Sequence, residues 1–106
     1  MSDFVTVATT EELPPGTRKT VEVHGVWIAL FNVGGSFYAI DNTCPHAGGP
    51  LGEGYLTGEA VECPWHGWEF NVCTGERTGN PNFTVTCCAV RIEGNQVQVA
   101  LPPGFK

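Results

Sequence analysis

The sequence predicts an all-β fold, a sandwich or a partly open barrel of short antiparallel strands. Apolar and polar residues alternate over several short segments, and 14 glycines and 8 prolines provide frequent turns. Only 15% of the 106 residues are charged, so the chain is rich in turns and poor in exposed helix. We find no linker and no internal repeat, and we therefore expect one domain over residues 1–106.

The first half of the chain predicts one helical turn and three strands. "TTEEL", which begins at Thr9, has the pattern of a capping box, and Pro14-Pro15-Gly16 would end its helical turn. "TVEV" alternates as a strand does and leads through His24-Gly25 into "VWIALFNV", a near-continuous apolar run typical of a buried strand. Gly34-Gly35 then turns the chain into the strand "SFYAI".

The second half predicts further strands and the clearest hairpin. "EAVE" and the alternating "WEFNV" each predict a strand. Val90 and Ile92 lead through Gly94-Asn95 into a last strand, which contains Val97, Val99 and Leu101.

Two loops between these strands each contain one cysteine and one histidine. Cys44 and His46 lie in "DNTCPHAGGPLG", and Cys63 and His66 lie in "CPWHG". Sixteen residues separate His46 from Cys63. Glycine and proline cluster in both segments, which indicates irregular loops on a strand framework. Together the loops predict a metal site with four ligands.

The type of pairing favours iron over zinc. A Cys₂His₂ ligand set suits zinc or an iron–sulfur centre. Structural zinc sites usually pair cysteine with cysteine and histidine with histidine, whereas each loop here pairs one of each. One iron of a two-iron cluster can take both thiolates and the other both imidazoles. A zinc site stays open as the alternative.

The pattern C-x-H, a gap of 16 residues and C-x-x-H resembles the signature of the Rieske family. The resemblance implies a Rieske-like antiparallel β-sandwich with a cluster-binding subdomain of two loops, at about residues 42–52 and 62–68. It also implies one [2Fe–2S] cluster of the Rieske type. Cys44 and Cys63 would bind the inner iron, and His46 and His66 the outer iron near the protein surface.

Four positions differ from the respiratory members of that family. Gly49 and Trp65 occupy the positions of two cysteines that form a disulfide there. Trp68 and Phe70 occupy the positions of a serine and a tyrosine whose hydroxyls bond to sulfur, and neither can supply a hydroxyl. Because lost donors destabilise the reduced cluster, we expect a reduction potential of about −150 mV rather than about +300 mV.

The short chain and the expected low potential resemble the Rieske-type ferredoxins of bacterial aromatic-ring-hydroxylating dioxygenase systems. The resemblance implies a one-electron carrier between a ferredoxin reductase that uses flavin and a terminal oxygenase. It implies no enzyme and no small-molecule substrate, since only His24 remains for a mononuclear iron that needs two histidines. The alternatives are a small subunit of a larger reductase, such as assimilatory nitrite reductase, and a zinc-stabilised binding module.

The charge distribution indicates the kind of partner. The net charge is −6, and no lysine or arginine occurs between Lys19 and Arg77. Six carboxylates in that interval lie around the cysteine–histidine loops, namely Asp41, Glu53, Glu59, Glu62, Glu69 and Glu76. This acidity disfavours nucleic acid and anionic membranes and suits a protein with a basic docking face, although it can also serve solubility alone.

The location that we expect is the cytoplasm. The chain has no long apolar run, and its start, "MSDFVTV", lacks the basic and apolar regions of a secretory signal. Reduced cysteines in that compartment bind metal more often than they form disulfides.

The remaining aromatic residues and cysteines have simpler expected roles. We expect Trp68 in the core and Trp65 either shielding the metal site or touching a partner. Cys73 is expected to be a small buried residue. Cys87 and Cys88 are adjacent in a predicted strand and should face opposite sides of the sheet.

Overall fold

The computed structural model describes residues 4–45, 48–65 and 67–103. In this part of the chain, eleven strands and two short 3₁₀ helices form, and their order confirms the all-β prediction. The strands are β1 (Val5–Thr9), β2 (Arg18–Val23), β3 (Val26–Val33), β4 (Ser36–Asp41), β5 (Tyr55–Thr57), β6 (Ala60–Glu62), β7 (Glu69–Asn71), β8 (Glu76–Arg77), β9 (Asn80–Thr84), β10 (Cys87–Glu93) and β11 (Gln96–Ala100). The helices are Thr10–Glu12 and Leu51–Glu53.

Six strands form the larger antiparallel sheet, in the order β1-β11-β10-β4-β3-β2. The predicted meander β2-β3-β4 and the hairpin β10-β11 lie here. His24, in the predicted turn, has φ 50°, a left-handed conformation that is uncommon outside glycine. Leu101 lies just beyond β11 rather than inside the predicted strand.

The predicted capping box is present at the first 3₁₀ helix. The Thr9 hydroxyl accepts a hydrogen bond from the Glu12 N–H (3.3 Å), and the Glu12 carboxylate accepts one from the Thr9 N–H (2.8 Å). This reciprocal pairing satisfies two backbone donors that the helix itself leaves unpaired.

The five remaining strands form a second antiparallel sheet, β5-β6-β7-β8-β9. Its strand β7 covers only Glu69–Asn71, so the predicted strand "WEFNV" was too long at both ends. The sequence did not indicate β5, β8 or β9, which are short or contain the strand-disfavouring "NPN". Pairing with neighbouring strands stabilises them where local preference does not.

Strand β3 is buried on both faces, which explains its continuous apolar run. Ile28 and Leu30 face one core, which β2, β10 and β11 complete. Ala29 and Phe31 face a second core. That second core also contains Leu51 and residues of the smaller sheet and of both loops, namely Cys44, Val61, Cys63, Phe70 and Val72. The two sheets therefore meet at the second core, which contains both Cys44 and Cys63.

Among the helices that the structure describes, none has the length and apolar character needed to cross a membrane.

A buried amide in β3 should contribute measurably to stability. The Asn32 side chain donates to the Leu13 carbonyl (2.7 Å) and accepts from the Gly35 N–H (2.8 Å). Asn32→Ala leaves these groups without partners, and we expect it to lower the free energy of unfolding by about 2 kcal/mol. Urea denaturation measures this change. The exposed Asn82→Ala is the control and should change it by less than about 0.5 kcal/mol; equal losses would contradict the account.

Candidate metal centre

The first loop closes on itself through two backbone hydrogen bonds. The Cys44 N–H donates to the Gly49 carbonyl (2.9 Å), and the Gly48 N–H donates to the Cys44 carbonyl (2.7 Å). The bonds hold Cys44 close to Gly48 and Gly49.

The second loop repeats this arrangement. The Cys63 N–H donates to the Trp68 carbonyl (2.7 Å), and the Gly67 N–H donates to the Cys63 carbonyl (3.1 Å). Gly48 (φ 75°) and Gly67 (φ 81°) end the two turns in a left-handed conformation that favours glycine. Both loops have the sequence C-P-x-x-G, a short internal repeat that was not predicted.

The base of the first loop is anchored to the rest of the chain by Asn42. Its side-chain oxygen accepts from the Gly52 N–H (2.7 Å), and its carbonyl accepts from the Leu51 N–H (2.7 Å). The Asn42 N–H donates to the Trp27 carbonyl in β3 (3.3 Å). A side chain at Gly52 would collide with the Thr20 hydroxyl, so the loop lies directly on β2.

The two loops bring the sulfur atoms of Cys44 and Cys63 together. Each residue is only 1% exposed, and the two thiols lie within hydrogen-bonding reach of each other. A Cβ atom at Gly49 would lie 2.7 Å from Cys63 Sγ and 3.2 Å from Trp65 Cβ, so the first loop packs on the second without room for a side chain. Gly49 and Trp65 face each other, as expected if they occupy the positions of the two cysteines that form a disulfide in the respiratory proteins. No disulfide joins any of the five cysteines.

The environment of Cys63 acts on its thiol in two directions. Burial raises the pKa of the Cys63 thiol, a hydrogen bond from the Trp65 N–H lowers it, and the neighbouring Cys44 raises it further. A thiol here loses its proton readily only when a cation compensates the buried charge. The Trp65 N–H is a donor that can stabilise a metal-bound thiolate at this position.

His46 and His66 lie outside the described residues. In the sequence each lies between the cysteine and the glycine of its C-P-x-x-G segment. Exposed residues occupy the described positions around them, namely Pro45, Gly48, Pro64, Trp65 and Gly67. The described ranges alone contain no group of three histidine, cysteine, aspartate or glutamate side chains that could hold a metal ion.

The aromatic residues near the loops differ in burial. Phe70 is fully buried, and Trp68 is half-buried and packs against the second core, as expected. Trp65 is 53% exposed, so it does not form part of the core. None of the three offers a hydroxyl near the sulfur atoms.

The other cysteines line a separate cavity of about 230 Å³. Cys87 is exposed and Cys88 is buried, so they face opposite sides as predicted. Cys73, expected to be buried, is half-buried and packs against the second core. Although the Cys87 residue is exposed, protein atoms around its thiol exclude part of the water, and this desolvation, followed by the neighbouring Cys73, raises the pKa of Cys87. Burial, Asp41 and Cys87 raise the pKa of Cys88 to about 11. Cys87 and Cys88 are therefore weak nucleophiles at neutral pH.

The residues present fit an iron–sulfur group on its cysteine side. Two buried sulfur atoms lie together, a backbone N–H points at one of them, and Gly49 leaves space where a side chain would collide with sulfur. Thiolates in such a water-excluded site with N–H donors are typical of iron–sulfur ligation.

The model of the Rieske [2Fe–2S] domain matches residues 3–92. The chain belongs to this family and carries one [2Fe–2S] cluster of the Rieske type. It is 40% identical over 99 residues to Ferredoxin CarAc of Metapseudomonas resinovorans, covering 92% of each chain. It is 38% identical over 91 residues to the ferredoxin component of the naphthalene 1,2-dioxygenase system of Pseudomonas aeruginosa, covering 85% of this chain and 88% of that one.

Solved structures agree with the fold. The ferredoxin in a complex of reduced oxygenase and oxidized ferredoxin in carbazole 1,9a-dioxygenase superposes with a TM-score of 0.87 at 33% identity, covering 97% of both chains. A putative NADH-dependent nitrite reductase small subunit from Mycobacterium tuberculosis has a TM-score of 0.88 at 24% identity, covering 96% of this chain and 97% of that one. The second similarity shows the fold alone.

A side chain at Gly49 should disturb the site selectively. Gly49→Ala places a methyl group against Cys63 Sγ, and we expect destabilisation of about 1–3 kcal/mol together with a lower iron content per chain. Gly48→Ala is the control, because it introduces backbone strain in the same loop with nothing within 4 Å of the new Cβ. Iron assay and thermal melting compare the variants. Equal iron loss in both would mean that any disturbance of this loop, and not contact with Cys63 in particular, limits the site.

Proposed function

We propose that this chain is a low-potential one-electron carrier that passes electrons from a flavin-dependent ferredoxin reductase to a terminal oxygenase. The observation that carries this proposal is the pair of C-P-x-x-G turns that holds Cys44 and Cys63 together in the core. The relatives above are ferredoxins, and one is a component of a dioxygenase system. The names of these relatives favour an electron carrier over a small subunit of a larger reductase. Membership of the Rieske family disfavours a zinc-stabilised binding module.

Four residues would hold the cluster in this proposal. Cys44 and Cys63 would bind the inner iron, and their burial supports this assignment because it excludes water from the sulfur atoms. His46 and His66 would bind the outer iron, since each follows its cysteine by two or three positions in the sequence and the described residues beside them are exposed. The bound cluster supplies a site that takes up and releases one electron. Loops 42–52 and 62–68 would form this centre within one domain, residues 1–106.

The chain is an electron-transfer component and not itself an enzyme. A mononuclear iron of an oxygenase needs two histidines and a carboxylate. Once His46 and His66 are assigned to the cluster, only His24 remains, and it lies exposed in the turn between β2 and β3.

Partner recognition would use the surface around the two turns. The exposed residues there are uncharged and include Trp65, whose large apolar side chain suits a protein contact. Beside it, Glu62 and Glu69 are exposed and lie directly opposite each other on β6 and β7. Neither forms an ion pair with any described residue. Like charges facing each other cost stability, which favours docking with a basic surface over solubility alone.

The proposed ligand set also favours a cytoplasmic location. Cys44 and Cys63 must be reduced to bind the cluster, which fits a compartment that keeps thiols reduced. The acidic surface continues to disfavour nucleic acid and anionic membrane surfaces as partners.

Reversing one charge beside the turns should slow docking. Glu69→Lys removes part of the acidic surface and places a lysine opposite Glu62, so folding should not suffer. We expect the association rate with the reductase or oxygenase to fall about tenfold at low salt and to approach wild type at high salt, with little change in potential.

The matched control is Glu22→Lys, the same change at an exposed position on β2 in the larger sheet. Stopped-flow reduction of the loaded protein at several ionic strengths measures both variants. If Glu69→Lys and Glu22→Lys behave alike, the acidic residues serve solubility and the docking proposal is wrong.

A further inference from the structure

Arg77 lies on an aromatic ring instead of pairing with a carboxylate. Its guanidinium carbon is 3.4 Å from the centroid of the Trp68 ring and 5.9 Å from that of Phe83. The Trp68 and Phe83 rings meet edge to face at 5.1 Å. A cation over an aromatic face is attracted by the electrons of the ring. The arrangement holds the guanidinium at a fixed position at the edge of the smaller sheet.

The charge of Arg77 is not compensated in the described part of the chain. No ion pair there includes Arg77, although Glu76 precedes it, and its buried Nε atom has no hydrogen-bond partner. Arg77 is also the only lysine or arginine between Lys19 and Arg91. A half-buried cation without a carboxylate partner is screened less than an exposed one, and its field extends into the neighbouring core.

Trp68 connects this cation to the metal centre. Its backbone carbonyl accepts the hydrogen bond from the Cys63 N–H (2.7 Å), and its side chain packs against the core that contains Cys44 and Cys63. The strand register contributes as well, because Arg77 pairs with Phe70, which belongs to the same core. The guanidinium is therefore held at the edge of the core in which both sulfur atoms lie.

We propose that Arg77 raises the reduction potential of this ferredoxin by holding an uncompensated positive charge on Trp68, beside the cysteine core. The proposal rests on the ligand assignment given above. Reduction transfers one electron from the reductase and adds one negative charge, and a nearby half-buried cation stabilises the more negative state. Arg77 would thus oppose, in part, the lowering of the potential caused by the missing hydroxyl donors at Trp68 and Phe70.

A purely structural role predicts a different outcome. If Arg77 only covers Trp68 and Phe83, its loss lowers the melting temperature and leaves the potential unchanged. A redox role requires the potential to follow the charge, whatever happens to stability.

The test measures midpoint potentials of the loaded, full-length protein by spectroelectrochemistry, with melting temperature and iron content of each variant. Arg77→Gln should lower the potential, and Arg77→Lys should retain more of the wild-type value. The matched control is Arg91→Gln in the larger sheet, which removes the same charge from a guanidinium that lies 4.3 Å from the centroid of the Phe4 ring. It should shift the potential less than Arg77→Gln.

Two results would overturn the proposal. One is an equal potential in Arg77→Gln and Arg91→Gln with iron content intact. The second result applies if Arg77→Gln fails to hold iron, and it uses the variant Phe83→Ser instead. Phe83→Ser keeps the charge of Arg77 but exposes the guanidinium to water, so it should also lower the potential. An unchanged potential in Phe83→Ser would count against Arg77. A wild-type protein without an iron–sulfur spectrum would instead overturn the proposed function, so the two failures are distinguishable.

Discussion

The structure depends on the burial of strand β3 on both faces. One face of this strand completes the core of the larger sheet, and the other supports a second core that includes Cys44 and Cys63. The smaller sheet contributes Val61 and Phe70 to that second core. Because the cysteine side chains are core residues, the position of the metal centre is set by the packing of the fold and not by the loops alone.

Two identical backbone turns adapt this core to metal binding. Each turn uses the cysteine as both donor and acceptor and ends in a left-handed glycine, Gly48 or Gly67. The cysteine side chains are buried, and the described residues beside them, namely Pro45, Gly48, Pro64, Trp65 and Gly67, are exposed. The proposed centre would therefore be shielded on its sulfur side and lie near a surface that a partner can reach. Such an arrangement suits a carrier, which must protect its cluster and still exchange electrons with a partner.

Much of the larger sheet could be predicted from the sequence because its signals are local. The capping box at Thr9, the double-sided strand β3 and the hairpin β10-β11 each follow from residues close together in the chain. The pairing of Cys44 with Cys63 could be predicted because the ligand types and their spacing carry the chemistry. All four ligands remain predictions: the structure places Cys44 and Cys63 together, which does not by itself show that they bind metal, and His46 and His66 lie outside the described residues.

Other features depend on contacts between distant residues, which the sequence does not display. Strands β5 and β8 are too short to have a periodicity, and β9 contains the strand-disfavouring "NPN"; all three form through pairing with their neighbours. The contact of Arg77 with Trp68 depends on the pairing of β7 with β8. The C-P-x-x-G repeat was visible in the sequence, but the different positions of His46 and His66 within it obscured the common turn.

The central claim is that a two-iron cluster is held by two cysteines and two histidines. An electron paramagnetic resonance spectrum of the dithionite-reduced protein, with iron and zinc assayed on the same sample, tests it most directly. We expect two irons per chain, no zinc, and a rhombic signal whose average g value lies clearly below that of all-cysteine clusters. A silent spectrum with one zinc per chain, or a signal typical of four cysteine ligands, would contradict the account.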